Sequence, residues 1–437
     1  MSLNNQVKKK SRINEDPFKI VKDYIDGERS HLSSAEDFNI FCLGLMQLEF
    51  NSILSRYIND RKILTHKYKG SLYNYLTLRN SVISSKYEEN KLILIDVIKD
   101  KKFNVCLKNF IKNQSFLSLS DVIVFLYRDM KDLLERNTYT KEFKTVNINK
   151  DFNYATVRNK SPKYRIINLL KKEILKIDDL VETCFVQGSF GTEDFLENWS
   201  DLDAVLVFNN RLFEDSKNLI QARKIVSYAN SLFYCADPLA HHYFHMATCL
   251  DLSFYSQSSM LPMVVYENGM KLVGKNKLSI SLRKDLFEQV SMVSKLERHF
   301  EYRIKNIPKN AYELKLDLAH LFLLPSFLLQ AKGIYVYKRD SFELVKKEFP
   351  EINFDVIDKA TTLMKEWKTS NIVKYYPTIF WNILPHVLNK SIIYIYIKLS
   401  RNKKLDLSPK EISIIMSEIS DLFNASEKTL LNLLKND

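Results

Sequence analysis

Glycine is scarce in this chain, with eight in 437 residues alongside ten prolines. Tight hairpins draw on glycine for backbone with φ > 0, so an all-β architecture lacks turn material and helix is expected to dominate. Against that scarcity, Gly188 and Gly191 fall within four residues of each other, and they mark the segment where the chemistry is sought.

Apolar residues form 46% of the chain and charged residues 27%, so most of it can bury a core and wholesale disorder is excluded. The length suits two or three domains. Lys and Arg outnumber Asp and Glu, 65 to 52, for a net charge of +13. Such a surface attracts polyanions: nucleotides, nucleic acid or acidic lipid head groups. Cys42, Cys106, Cys184, Cys235 and Cys249 lack CxxC spacing, which indicates neither a disulfide framework nor a zinc ribbon and fits a reducing compartment. Met1 to Asp16 is polar and basic with no apolar stretch behind it, so no secretory signal is expected. The greasiest run, Leu318 to Ala331, is broken by His320 and Pro325 and falls short of the ~20 residues of a spanning helix. The expectation is a cytoplasmic protein with no membrane partner.

Residues 1–16 read as a disordered basic tail. Residues 17–160 read as a helical N-terminal region, with Phe38, Ile40, Phe41, Leu45, Leu48 and Ile53, and later Val122, Ile123, Leu126, Met130 and Leu133, at helical spacing. Ser161-Pro162 looks like the start of a helix ending near Asp178. Over 161–280 the pattern turns mixed, with strands expected at Thr183–Gln187, Ala204–Phe208, Thr248–Tyr255 and Met263–Tyr266 and a helix around Lys217 to Tyr234. Residues 281–437 return to helix, in stretches Leu286 to Ile304, Tyr312 to Ala331, Ser341 to Phe349, Val356 to Trp367 and Lys410 to Phe423. The fold class expected is α+β: a small mixed sheet with helices, between an N-terminal helical region and a C-terminal helical bundle.

A strand runs into Gly188-Ser189, a polar loop of eleven residues follows, and a second strand opens on Asp201-Leu202-Asp203. Strand residues i and i+2 share a face, so Asp201 and Asp203 present their carboxylates side by side. Two such anions repel unless a cation joins them, and oxygen-rich, partly open sites suit Mg²⁺ with substrate phosphates completing its shell. Gly188 lets a phosphate approach the backbone, and the Ser189 hydroxyl can hold its oxygens. Asp251, within Cys249-Leu-Asp-Leu-Ser-Phe-Tyr255, alternates with apolar residues and would share a strand face with Cys249 and Ser253.

The order strand, Gly-Ser, loop, Asp-x-Asp, strand resembles the signature of the DNA polymerase beta-like nucleotidyltransferase superfamily, which includes aminoglycoside nucleotidyltransferases, poly(A) polymerases and oligonucleotide cyclases. The matching motif spans about twenty residues. The resemblance implies that Asp201 and Asp203 hold Mg²⁺ (or Mn²⁺) on a nucleoside triphosphate, with ATP the expected nucleotide. It also implies a third acid on a neighbouring strand facing the same cleft, Asp251 with Asp237 as the fallback, which completes a second ion site or serves as general base. Nucleotidyl transfer to an acceptor hydroxyl would follow, with pyrophosphate leaving.

The segment Ala331-Lys332-Gly333 through Leu344 resembles the C-terminal helical part of antibiotic-type members of the superfamily. There a loop delivers a Lys and a Ser toward the cleft, which nominates Lys338 and Ser341 for nucleotide binding and favours a small-molecule acceptor. Alternatives are RNA tailing or oligonucleotide formation, modification of protein or tRNA by a toxin-like enzyme, and a catalytically inactive nucleotide-binding protein. His241, His242 and His245, with Cys235 and Asp237 nearby, match no closed zinc pattern, so a cleft-lining or structural role is expected.

Overall fold

The computed structural model describes residues 34–59, 70–72, 74–76, 78–79, 82, 118–137, 139, 141–197, 199–237, 243–284, 307–367, 386–401 and 407–436. Among them the chain is α+β, mostly helical, with a five-stranded mixed sheet and a separate two-stranded ribbon. The proposed basic tail, the stretch Leu286 to Ile304, His241 and His242 lie outside the described residues.

Two long helices come first: α1 (Ala35–Asn59) and α2 (Leu119–Arg136). Helix α2 begins on a capping box in which the Ser118 side chain and the Asp121 carboxylate satisfy each other's backbone amides. Then come β1 (Glu142–Asn147), β2 (Lys150–Asp151), α3 (Lys163–Ile174) and β3 (Val181–Gln187). A helical turn over Gly188–Thr192 leads by a loop to β4 (Asp203–Phe208). Helices α4 (Ser216–Ala229) and α5 (Ser231–Ala236) precede β5 (His245–Thr248), followed by β6 (Met270–Gly274) and β7 (Lys277–Leu282). The C-terminal part supplies α6 (Ala311–Leu321), α7 (Leu324–Ala331), α8 (Lys338–Glu348), α9 (Asp355–Lys365), α10 (His386–Arg401) and α11 (Pro409–Asn436).

The sheet runs β2-β6-β3-β4-β5, with β3 antiparallel to both β4 and β6, and β5 parallel to β4. Strand β4 is buried along nearly all its length, which is why its sequence is a continuous apolar run rather than an alternation. One sheet face carries Ala204, Leu206 and Phe208 into a large core that also takes Phe38, Met46, Leu126, Ile167 and Val226 from α1, α2, α3 and α4. The other face carries Phe185, Val205, Val207 and Ala247 against Val146 and Ile280 of the ribbon strands β1 and β7. A third core gathers α6 to α9 with α11 and draws in Trp199 from the β3–β4 loop. The apolar run Ala311–Ala331 is long and greasy enough to pass for a membrane span by composition, but it is broken between α6 and α7 and mostly buried in that third core.

Two strand expectations are overturned. Pairing at β5 stops at Thr248, and Cys249–Ser253 coils into a helical turn. Thr248 and Asp251 form a second capping box there, a T-x-x-D signature that outweighs the apolar alternation of Leu250, Leu252 and Phe254. Residues Met263–Glu267, read as β-prone from Val264 and Val265, form a helical turn entered through Pro262, where the fixed φ of proline favours the first turn.

Candidate functional site

The backbone turns from β3 into the loop at Gly188, which has φ +67°, a left-handed conformation that a side chain resists. At the next glycine the demand is space: a Cβ on Gly191 would lie 2.9 Å from the carbonyl oxygens of Asn268 and Val186. The turn thereby settles against β6, and Gly188 lies beside the Asp203 carboxylate, whose Oδ2 a Cβ at that position would just touch at 3.4 Å. Gln187 pairs directly with Asp203 across β3 and β4. Gly188, Ser189 and Asp203 thus meet at one end of the sheet, with Ser189 half-buried in the first turn after the strand.

The loop that delivers Asp201 is tied down at many points. Ser161 donates to Glu197 at 2.8 Å, and the Leu196 amide donates to the Ser200 hydroxyl at 2.9 Å. Two ammonium groups hold the carbonyls just before the acidic pair: Lys163 donates to Ser200 O at 2.8 Å and Lys315 to Trp199 O at 2.6 Å. Trp199 meets Trp367 edge-on at 5.1 Å and Phe322 at 6.1 Å. Lys315 also makes a buried ion pair with Asp237.

These contacts set the electrostatics. Burial, and then the neighbouring Asp201 charge, push the Asp203 carboxyl up to about 8, while Lys338 and Lys315 pull the other way. Its Oδ1 is sealed from solvent and accepts no hydrogen bond. Lys338, at the start of α8, is pushed down by burial while Asp201 and Asp203 favour its charged form. A pair of hard carboxylate oxygens, one unsatisfied and both crowded by like charge, fits a divalent cation. Asp201 and Asp203 are the residues that would hold it.

Ser341 and Asp251 are located elsewhere. The Ser341 hydroxyl is buried between α7 and α8, accepting from Ser326 at 3.1 Å and donating to Lys338 O at 2.6 Å. It braces the turn that carries Lys338. Asp251 follows the far end of β5, where Thr248 pairs with Phe208. Five residues of β4 at about 3.3 Å each put that end roughly 16 Å from Asp203. The Asp251 carboxylate is fully engaged there, accepting from Gln47 at 2.7 Å, Asn51 at 2.9 Å, and the Thr248 hydroxyl and amide at 2.8 and 2.6 Å. Gln47 in turn accepts from Arg283, whose guanidinium covers the Phe254 ring at 4.5 Å. The fallback acid Asp237 lies nearer, committed to Lys315.

Asp251→Ala is expected to cost about 3 kcal/mol of stability, because it strands two buried amides and removes a helix cap. Urea unfolding reads this directly. A variant as stable as the parent but devoid of activity would return Asp251 to the chemistry.

Sequence reasoning did not single out Lys163 or Lys315. Lys163 was hidden in a helix stripe and Lys315 in an apolar helix, and the available signal was a lone lysine on an otherwise greasy face. Among the described residues no group of three or more His, Cys, Asp or Glu side chains is placed to share a metal ion. No family model, curated protein or solved structure matches this chain, so its chemistry is argued from the site alone.

Proposed function

We propose that this chain is a nucleotidyltransferase. It binds a nucleoside triphosphate, ATP first among candidates, as its magnesium complex, and moves the nucleoside monophosphate to an acceptor hydroxyl with loss of pyrophosphate. The supporting observation is the Asp203 carboxylate: buried, with one oxygen unpartnered, flanked by Asp201, and faced by two lysines from the C-terminal helices. That combination costs stability by itself and is relieved by a ligand that brings both a cation and phosphate anions. When bound, the ion would neutralise the triphosphate and polarise the phosphorus under attack.

The chain's own residues do the rest. Asp201 and Asp203 fix the triphosphate's position, and Gly188 leaves room at the turn for it. Ser189 offers a hydroxyl donor. Lys338 stabilises charge that builds on the departing pyrophosphate.

The acceptor proposed is a small molecule, on the resemblance of the segment from Ala331 through Leu344 to the C-terminal part of antibiotic-type nucleotidyltransferases. Incubation with each α-labelled triphosphate, Mg²⁺ and a fractionated cell extract tests this, with label expected in the small-molecule fraction. Label in RNA or protein would move the acceptor class, and no label in any fraction would refute transfer.

A catalytically silent nucleotide-binding protein is the second reading, favoured by the lack of a third clustered acid among the described residues. It predicts nucleotide binding without pyrophosphate release. Under either reading, Lys338→Met should weaken triphosphate affinity about tenfold or more while leaving nucleoside affinity unchanged, as calorimetry would show.

A further inference from the structure

Strand β5 runs parallel to β4 with His245 opposite Val205. Ala247 joins Val205 and Val207 on one face of the sheet, while Phe244 and Met246 turn to the other with Ala204 and Leu206. Alternation therefore brings His245 to the face that carries Asp203, one same-face step along the adjacent strand. With strands about 4.8 Å apart and two residues rising about 6.6 Å, such diagonal neighbours sit about 8 Å apart at Cα, a span that admits a hydroxyl and the phosphorus it attacks. His245 is half-buried, so it is within a ligand's reach without being loose in solvent. The acid expected near this position, Asp251, is at the opposite end of the strand.

We propose that His245 is the catalytic base of the transfer, an inference that rests on the nucleotidyltransferase reading above. A neutral ring nitrogen takes the proton of the acceptor hydroxyl as its oxygen bonds to the α-phosphorus. The bond from that phosphorus to the bridging oxygen breaks, and its electron pair leaves with pyrophosphate. Imidazole at this position has a second consequence. Magnesium prefers oxygen donors, so Asp201 and Asp203 would hold the ion on the nucleotide and His245 would not build a second ion site.

The test uses the full chain with Mn²⁺ and a non-hydrolysable ATP analogue, and counts bound Mn²⁺ by electron paramagnetic resonance. The parent is expected to bind a single Mn²⁺ per chain, and His245→Asp to bind a second. In single-turnover transfer to the acceptor fraction identified as above, His245→Ala should slow the reaction about 100-fold or more, with analogue affinity unchanged and partial rescue by added imidazole. His245→Gln, closer in size, should show the same loss while keeping the parental melting temperature. Parental rates in both variants, or two Mn²⁺ in the parent, would overturn the role of His245 while leaving nucleotidyl transfer standing. A parent that binds no analogue would instead overturn the underlying reading, and this assignment with it.

Discussion

Asp203→Asn is expected to eliminate magnesium-dependent nucleotide transfer and, in the absence of ligand, to make the protein more stable at alkaline pH. Both results come from one carboxyl whose folded pKa stands at about 8 against an ordinary 3.8. A carboxyl raised in this way holds its proton more tightly folded than unfolded. Its contribution to stability is fully present below about pH 4 and is lost as pH rises through 8. Asparagine stays neutral throughout, so the variant should match the parent near pH 4 and exceed it at pH 9 by a margin on the order of a few kcal/mol. Melting curves across that range give the comparison, and parallel curves for the two proteins would show that Asp203 is not the strained group described. Mg²⁺ with nucleotide should raise the melting temperature of the parent and leave that of Asp203→Asn unmoved.

Lys315→Ala is expected to be the most destabilising single change at the site, by about 3–5 kcal/mol. It removes the ion-pair partner of buried Asp237 and the donor to the Trp199 carbonyl. Asp237→Leu combined with Lys315→Met should recover most of the loss, since an apolar pair of similar volume avoids desolvating charge. The double variant should nevertheless bind triphosphate poorly, because the same ammonium also acts on Asp203. Chemical denaturation and nucleotide titration on the two proteins separate those effects. If the single variant is as stable as the parent, the ion pair does not hold the loop.

Local signals carried the parts of the molecule that were legible in advance. The stripes through Phe38 to Ile53 and Val122 to Leu133 became α1 and α2, and the β-prone runs at Thr183 and Ala204 became neighbouring strands with Gln187 opposite Asp203. Gly188 and the acidic pair could be read because turn chemistry and strand alternation act over a few residues. Asp251 was misread because Thr248-x-x-Asp251 is both a strand-like alternation and a helix start, and the choice is made by Gln47 and Asn51 some 200 residues earlier. Strands β1, β6 and β7 were missed because Lys144, Lys271 and Lys277 interrupt their hydrophobicity and Lys275 stands in the turn between β6 and β7. Those lysines lie at exposed edges or in ion pairs with Glu142, Asp151 and Glu182. Lys315 was invisible as a site residue because its partners come from distant loops.

Trp199 has a practical consequence for anyone wishing to borrow this motif. Its ring sits among the C-terminal helices while its carbonyl is held by Lys315, so the loop entering the acidic pair is anchored by a part of the chain more than a hundred residues downstream. Grafting Gly188 through Val207 onto another sheet would transplant the letters of the motif without the anchor that tensions it, and the recipient would inherit a floppy acidic loop.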